Sequence, residues 1–244
     1  MARNPGQSSM ATEPQLDPQR TQLRDEVVVH VQGLILSGGA RPGTLLRLAP
    51  IAEALGASIT PVREALLLLT QDGWVTQEPN RGFRVLPIRR RDAEDAYLVH
   101  GFVAGELAAR AAAVIDARGV GELTQLNAQI ARITGPDANV SDADSLEVDI
   151  LNSRLHSTIY ASAASPRLTW FRDASMRFVP RRHWGAVPGW IELNRDGHAE
   201  LIDALAQSDC EGARTAMVEH IERAGMLLLS HLDEIGFWDR DADD

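Results

Sequence analysis

From Thr21 to Ser37 the apolar residues Leu23, Val27, Val31, Leu34 and Ile35 recur every three or four positions. That spacing places them on one face of a helix. The loop chemistry of SGGARPG ends it. A second, short helix fits Pro50 to Leu55, with Gly56 just past its end. A third begins near Ser58–Pro61, runs through VREALLLLTQ and stops at Gly73. Pro61 is tolerated there because its missing N–H would have no helical partner in the first turn. Two short runs, WVTQE and FRVLPI, flank the turn PNRG and predict a hairpin. Beyond Pro87 and three consecutive arginines the pattern turns wholly helical. Helices are predicted over Ala93–Ile115, Val120–Ile133, Ser141–Ala161, Pro166–Phe178, Trp190–Ala206 and Cys210–Ile235.

The expected fold class is therefore mainly α. Three helices and a small β-hairpin wing, a winged helix-turn-helix, precede an antiparallel bundle of about six helices. The expected boundaries are a disordered arm over 1–18, the first domain over 19–88, the bundle over 92–235 and an acidic tail over 236–244.

Charge sharpens this division. The net charge is −10, which by itself argues against a nucleic-acid partner. Residues 1–91, however, hold 11 arginines against 8 acidic residues, a balance of +3, so the deficit lies entirely in the second half. Two modules with different partners follow from such asymmetry. One cysteine, Cys210, excludes an intrachain disulfide framework and a thiolate zinc knuckle. No run approaches the ~18 apolar residues of a membrane span, and the N-terminus has no apolar signal core. A soluble, cytoplasmic protein with no membrane partner is expected.

The N-terminal pattern carries DNA-binding chemistry. The second helix of a helix-turn-helix enters the major groove and offers its first side chains to base edges. Here these are Ser58, Thr60 and Arg63. Arg63 can form a bidentate contact with guanine, and the hydroxyls can reach bases or phosphates. Arg81, at the wing tip beside Gly82, suits phosphate or minor-groove contact.

The bundle carries a second chemistry. Asn152 and His156 are four residues apart and share a helix face. His198 and His220 lie on two later helices, each among apolar neighbours that point to a bundle interior. Neutral imidazole is the commonest metal ligand. Three imidazoles and one oxygen suit zinc first, with nickel or manganese as further options. The same pattern also fits three hydrogen-bonded core histidines. No metalloprotease, serine or cysteine nucleophile motif accompanies them, so catalysis is not expected. The alternative is a helical-bundle metalloenzyme whose N-terminal module does not bind DNA.

RPG (41–43), LAPIAEALGASITPVREAL (48–66) and DGWVTQEPNRGFRV (72–85) resemble the winged helix of the GntR family of bacterial transcription regulators. Ile59 stands where that family usually has Arg. GELAARAAA (105–113), NSRLH (152–156) and HAELIDALAQSDCEGARTAMVEH (198–220) resemble the FCD ligand-binding domain of the FadR subfamily. The resemblance implies a metal held by Asn152, His156, His198 and His220. Many relatives have Asp at the first of these positions, and Asp149, one turn earlier, is a second candidate oxygen ligand. It also implies a small effector, often a carboxylate, bound beside the metal. Relatives often carry an Arg at the position of Phe102, so His100 and Arg110 are the expected effector contacts here. A homodimer reading a palindromic operator, most often as a repressor, completes the expectation.

Overall fold

The computed structural model describes residues 18–135, 140–178, 187 and 189–238. Helix α1 (Pro18–Leu36) lies across α3 (Ile59–Gln71), and α2 (Leu48–Ala54) completes the trio. Val27, Val28, Val31 and Ile35 of α1 and Val62, Leu66 and Leu69 of α3 are buried against one another, which realises the predicted apolar stripe. Gly56, at φ +59, makes the sharp turn into α3, a conformation that costs other residues steric strain.

The wing has one strand more than the sequence pattern indicates. Strands β2 (Val75–Glu78) and β3 (Gly82–Val85) form the expected hairpin. The two-residue strand β1 (Leu45–Leu46) pairs antiparallel with the other side of β3, giving the order β1-β3-β2. Gly82 makes this possible. Its φ is +131, and a Cβ there would lie 2.4 Å from the Leu46 carbonyl oxygen. Only glycine admits so close a backbone approach.

The bundle follows from α4 (Arg90–Ala112), which begins at the arginine run. Ala104, Ala108, Ala111 and Ala112 are fully buried along it. Small residues let helices approach closely. A Cβ on Gly105 would lie 2.6 Å from Val218 of α9 (Cys210–Glu234), and one on Gly225 of α9 would lie 2.7 Å from the Tyr97 ring. Around this pair pack α5 (Ala117–Ile133), α6 (Asp142–Ser162), α7 (Pro166–Ser175) and α8 (Trp190–Ala206). The caps are local and legible. Asp116 accepts from the Gly119 amide at 2.8 Å, and Asp209 from that of Gly212 at 2.9 Å. Ser141 and Asp144 form a reciprocal capping box. No helix among the described residues is long and apolar enough to cross a membrane.

The two cores meet. Leu36 and Ile88 pack against both. The buried Trp74 donates its indole N–H to the Arg177 carbonyl at 2.8 Å, in the short 3-10 turn Met176–Phe178 that follows α7. Arg177 in turn reaches the buried Asp72 at the end of α3, with Nε 3.6 Å from Oδ1.

Several expectations change. Pro18 belongs to α1, while the rest of the predicted arm lies outside the described residues, as does the acidic tail beyond Trp238. Phe237 is buried in the bundle core, so ordered packing extends past the predicted end of that domain. Trp170, on α7, is 54% exposed and meets Phe171 edge-on.

Candidate metal centre and nucleic-acid interface

Ser58, Thr60, Arg63 and Arg81 are all exposed. Ser58 occupies the N-cap position of α3, yet its hydroxyl does not cap the helix. Arg63 and Arg81 line a common cleft of about 840 Å³ between the start of α3 and the wing. Arg47, which precedes α2 and escaped the sequence reading, lines the same cleft. Arg84 is occupied. It donates to the Gly43 carbonyl at 2.6 Å and pairs with Glu78, whose carboxyl it holds below the usual range. The cleft thus presents three exposed guanidinium groups beside a helix N-terminus, Arg81 lying 3.6 Å from the Glu78 carboxylate, an arrangement suited to a phosphate backbone flanking a groove.

The second site forms where α6, α8 and α9 converge. His156, His198 and His220 come together with their ring nitrogens within 4.8 Å of one another. His198 and His220 are buried, and His156 is partly so. Close helix packing creates the cluster: a Cβ on Gly197 of α8 would sit 2.7 Å from Nδ1 of His220. The Nε2 atoms of His156 and His198 are 3.3 Å apart. Two nitrogens bound tetrahedrally at ~2.0–2.1 Å to one zinc ion would be about 3.3 Å apart.

Electrostatics favour neutral rings. Burial lowers the His220 pKa to about 4, with Arg223 adding to the effect. Burial likewise pushes His156 and His198 well below the usual imidazole range, and repulsion from His220 reinforces it in both. Neutral imidazoles have lone pairs available for coordination. Nδ1 of His156 lies 3.1 Å from the Tyr160 hydroxyl. That contact would fix the tautomer leaving Nε2 unprotonated, as outer partners of metal-bound histidines do. Nδ1 of His198, Nδ1 of His220 and Oδ1 of Asn152 are buried without a hydrogen-bond partner among the described residues. A buried group left this way costs about 1–3 kcal/mol. Three converging imidazoles with a nearby orphaned amide oxygen fit a divalent ion better than a self-satisfied polar core.

The cluster forms part of the wall of a cavity of about 270 Å³. Asn152, Asp149 and His100 also line it. His100 is buried and its pKa falls to about 3, chiefly from burial, with Arg172 as the next contributor. Arg110 does not reach the cavity. It is half-exposed and donates to Glu106 at 2.8 Å and to Ser165 at 3.0 Å. Ten helical residues separate it from His100, about 15 Å along the axis. Among the described residues, the arginine lining the cavity is Arg172, on α7. No motif marks α7, so nothing in the chain singled Arg172 out. Cys210, the free thiol, is exposed at the start of α9, away from this site.

Known proteins place both sites in one context. Residues 23–85 match the family described as "Bacterial regulatory proteins, gntR family", and residues 88–223 match the FCD domain. An uncharacterised HTH-type transcriptional regulator of Mycobacterium tuberculosis is 26% identical over 209 residues, spanning 86% of this chain and 82% of that one. The HTH-type transcriptional regulator McbR of Escherichia coli is 26% identical over 192 residues, spanning 76% of this chain and 83% of its own. The solved structure of E. coli McbR superposes with a TM-score of 0.65 at 22% identity, covering 88% of this chain and 99% of that one. These similarities replace the metalloenzyme alternative with a regulatory one. The chain belongs to the GntR family of bacterial transcription regulators, with an FCD ligand-binding domain behind its winged helix.

Proposed function

We propose that this regulator senses a small organic acid beside a divalent metal ion and binds a palindromic operator as a homodimer, acting as a repressor in the cytoplasm. The observation that carries the reading is the cluster of His156, His198 and His220 beside a cavity of about 270 Å³. His156, His198 and His220 would hold the ion, with Asn152 or Asp149 as the oxygen ligand. Zinc suits three imidazoles best, and nickel or manganese are the other candidates. When bound, the ion would supply an electrophilic coordination point for an effector oxygen.

The chain's own residues supply the rest. Tyr160 orients His156. His100, hydrogen-bonded to the Arg172 backbone, and Arg172 add polar groups to a wall that also holds Asp149, Asn152 and Ser153. On the DNA side, Arg63 would read a guanine in the major groove. Ser58, Thr60, Arg47 and Arg81 would hold the backbone. Leu98, Val99 and Phe102 form an exposed apolar stripe on α4, at 66%, 49% and 76% exposure. Such a stripe supports self-association through α4, which would set two winged helices against two half-sites. An effector can act only by binding the DNA-competent and DNA-incompetent arrangements with different affinity.

Selection of bound sequences from a random DNA pool tests the reading. The expected product is an inverted repeat, bound with strong salt dependence by the dimer. Enrichment of no sequence would contradict operator recognition.

A further inference from the structure

Ile59 is the first residue of α3 and lines the cleft between that helix and the wing, together with Arg47, Arg63 and Arg81. It is 42% exposed. Leu48 and Phe83 share the cleft wall but belong to the N-terminal core or pack against it, and Ile59 does neither. A single exposed apolar residue is ordinary on a protein surface. Position singles this one out. Ile59 and Arg63 are four residues apart, so they stand one above the other on the same face of the helix. Pro61 and Val62, between them, are buried against the core side. The outward line of α3 therefore begins with a hydrocarbon and continues, one turn later, with a cation.

The chemistry open to that hydrocarbon is narrow. It neither donates nor accepts a hydrogen bond, so it can hold no phosphate oxygen and read no polar base edge. In the major groove guanine, cytosine and adenine present donors and acceptors, whereas thymine adds a C5-methyl group that takes apolar contact. Isoleucine is stiff at χ1 in a helix, so such a contact costs little rotamer freedom. Four residues span about 6 Å of helix, and successive bases of one strand lie about 3.4 Å apart. A base touched by Ile59 thus falls within about two steps of the one touched by Arg63.

We propose that Ile59 is a specificity-determining residue, selecting a thymine in each operator half-site through its methyl group, beside the guanine read by Arg63. This rests on the proposed operator recognition and on neither the metal nor the effector.

The test starts from the operator that the full-length protein selects from a random DNA pool. Each thymine of that operator is replaced in turn by deoxyuridine, which removes only the methyl group, and binding is read by fluorescence anisotropy. One position per half-site is expected at which wild type loses about four-fold in affinity for each methyl removed. It should lie within about two base pairs of the pair at which Arg63→Ala relaxes selection. At that position Ile59→Ala should bind thymine and deoxyuridine equally. Ile59→Arg, whose fork matches guanine, should shift the selected base there from thymine to guanine. Indifference of wild type to deoxyuridine at every position overturns the proposal. So does full methyl dependence in Ile59→Ala, or a selected operator with no thymine in that range. Operator recognition stands in those three cases, whereas a pool in which no sequence is enriched overturns both readings together. Because deoxyuridine alters the DNA alone, the wild-type arm decides the matter even if a variant does not fold.

Discussion

The two functional faces of this regulator are built in opposite ways. The DNA face draws Ser58, Thr60 and Arg63 from one helix and Arg81 from a wing 18 residues later, all exposed. The proposed ligand site draws His100, His156, Arg172 and His220 to the cavity wall from four helices, with His198 of a fifth in the histidine cluster beside it, over 121 residues. The first needs only local geometry and can lose one contact without disturbing the rest. The second exists only when the bundle is packed, so its contacts couple strongly to folding. Binding at the first face should be modular, and binding at the second should be linked to stability.

Predictions follow that comparison from the largest effect downward. Removing a metal ion bound at 1,000 times its dissociation constant costs ~4 kcal/mol of stability. At ~2–4 °C per kcal/mol for a chain of this size, chelation should lower the melting temperature by roughly 8–16 °C. Calorimetry with and without a chelator reads this directly. Arg63→Ala should cost roughly 1–3 kcal/mol in operator binding and relax selection at one base pair, with zinc content unchanged. Unchanged affinity in a gel-shift or anisotropy assay would remove Arg63 from base recognition. Trp74→Phe keeps the ring but leaves the Arg177 carbonyl without its donor at the seam between the two cores. A loss of ~1–3 kcal/mol is expected, measurable by denaturant titration. Arg81→Ala should weaken all sequences alike and reduce the salt slope by about one. Arg110→Ala is the smallest change. Its exposed bridge to Glu106 is worth ~0–1 kcal/mol, and anion binding should be untouched.

What the sequence discloses tracks the same contrast. Helix boundaries were legible where a local device fixes them: Ser141 with Asp144, Asp209 before α9, and Gly56 between α2 and α3. Strand β1 was not, because two residues carry no period. Its existence depends on Gly82 lacking a side chain. The histidines stood out through residue type, with Asn152 and His156 on one helix face. Their mutual distance came only with the packing of α8 on α9 at Gly197. Arg172 carried no signal, because arginines are common on helix surfaces and nothing local tells an inward one from an outward one. Arg110 lies ten residues along α4 from His100, about 15 Å in space, so its place on the same helix does not bring it to the cavity.

The most direct test of the account is the metal content of tag-free protein purified without added metal, measured by elemental analysis for wild type and His198→Ala. The account predicts about one divalent ion per wild-type chain and a large loss in His198→Ala, with both proteins folded by circular dichroism. Full occupancy in the variant, or a folded wild type that takes up no ion even when zinc is supplied, would contradict it.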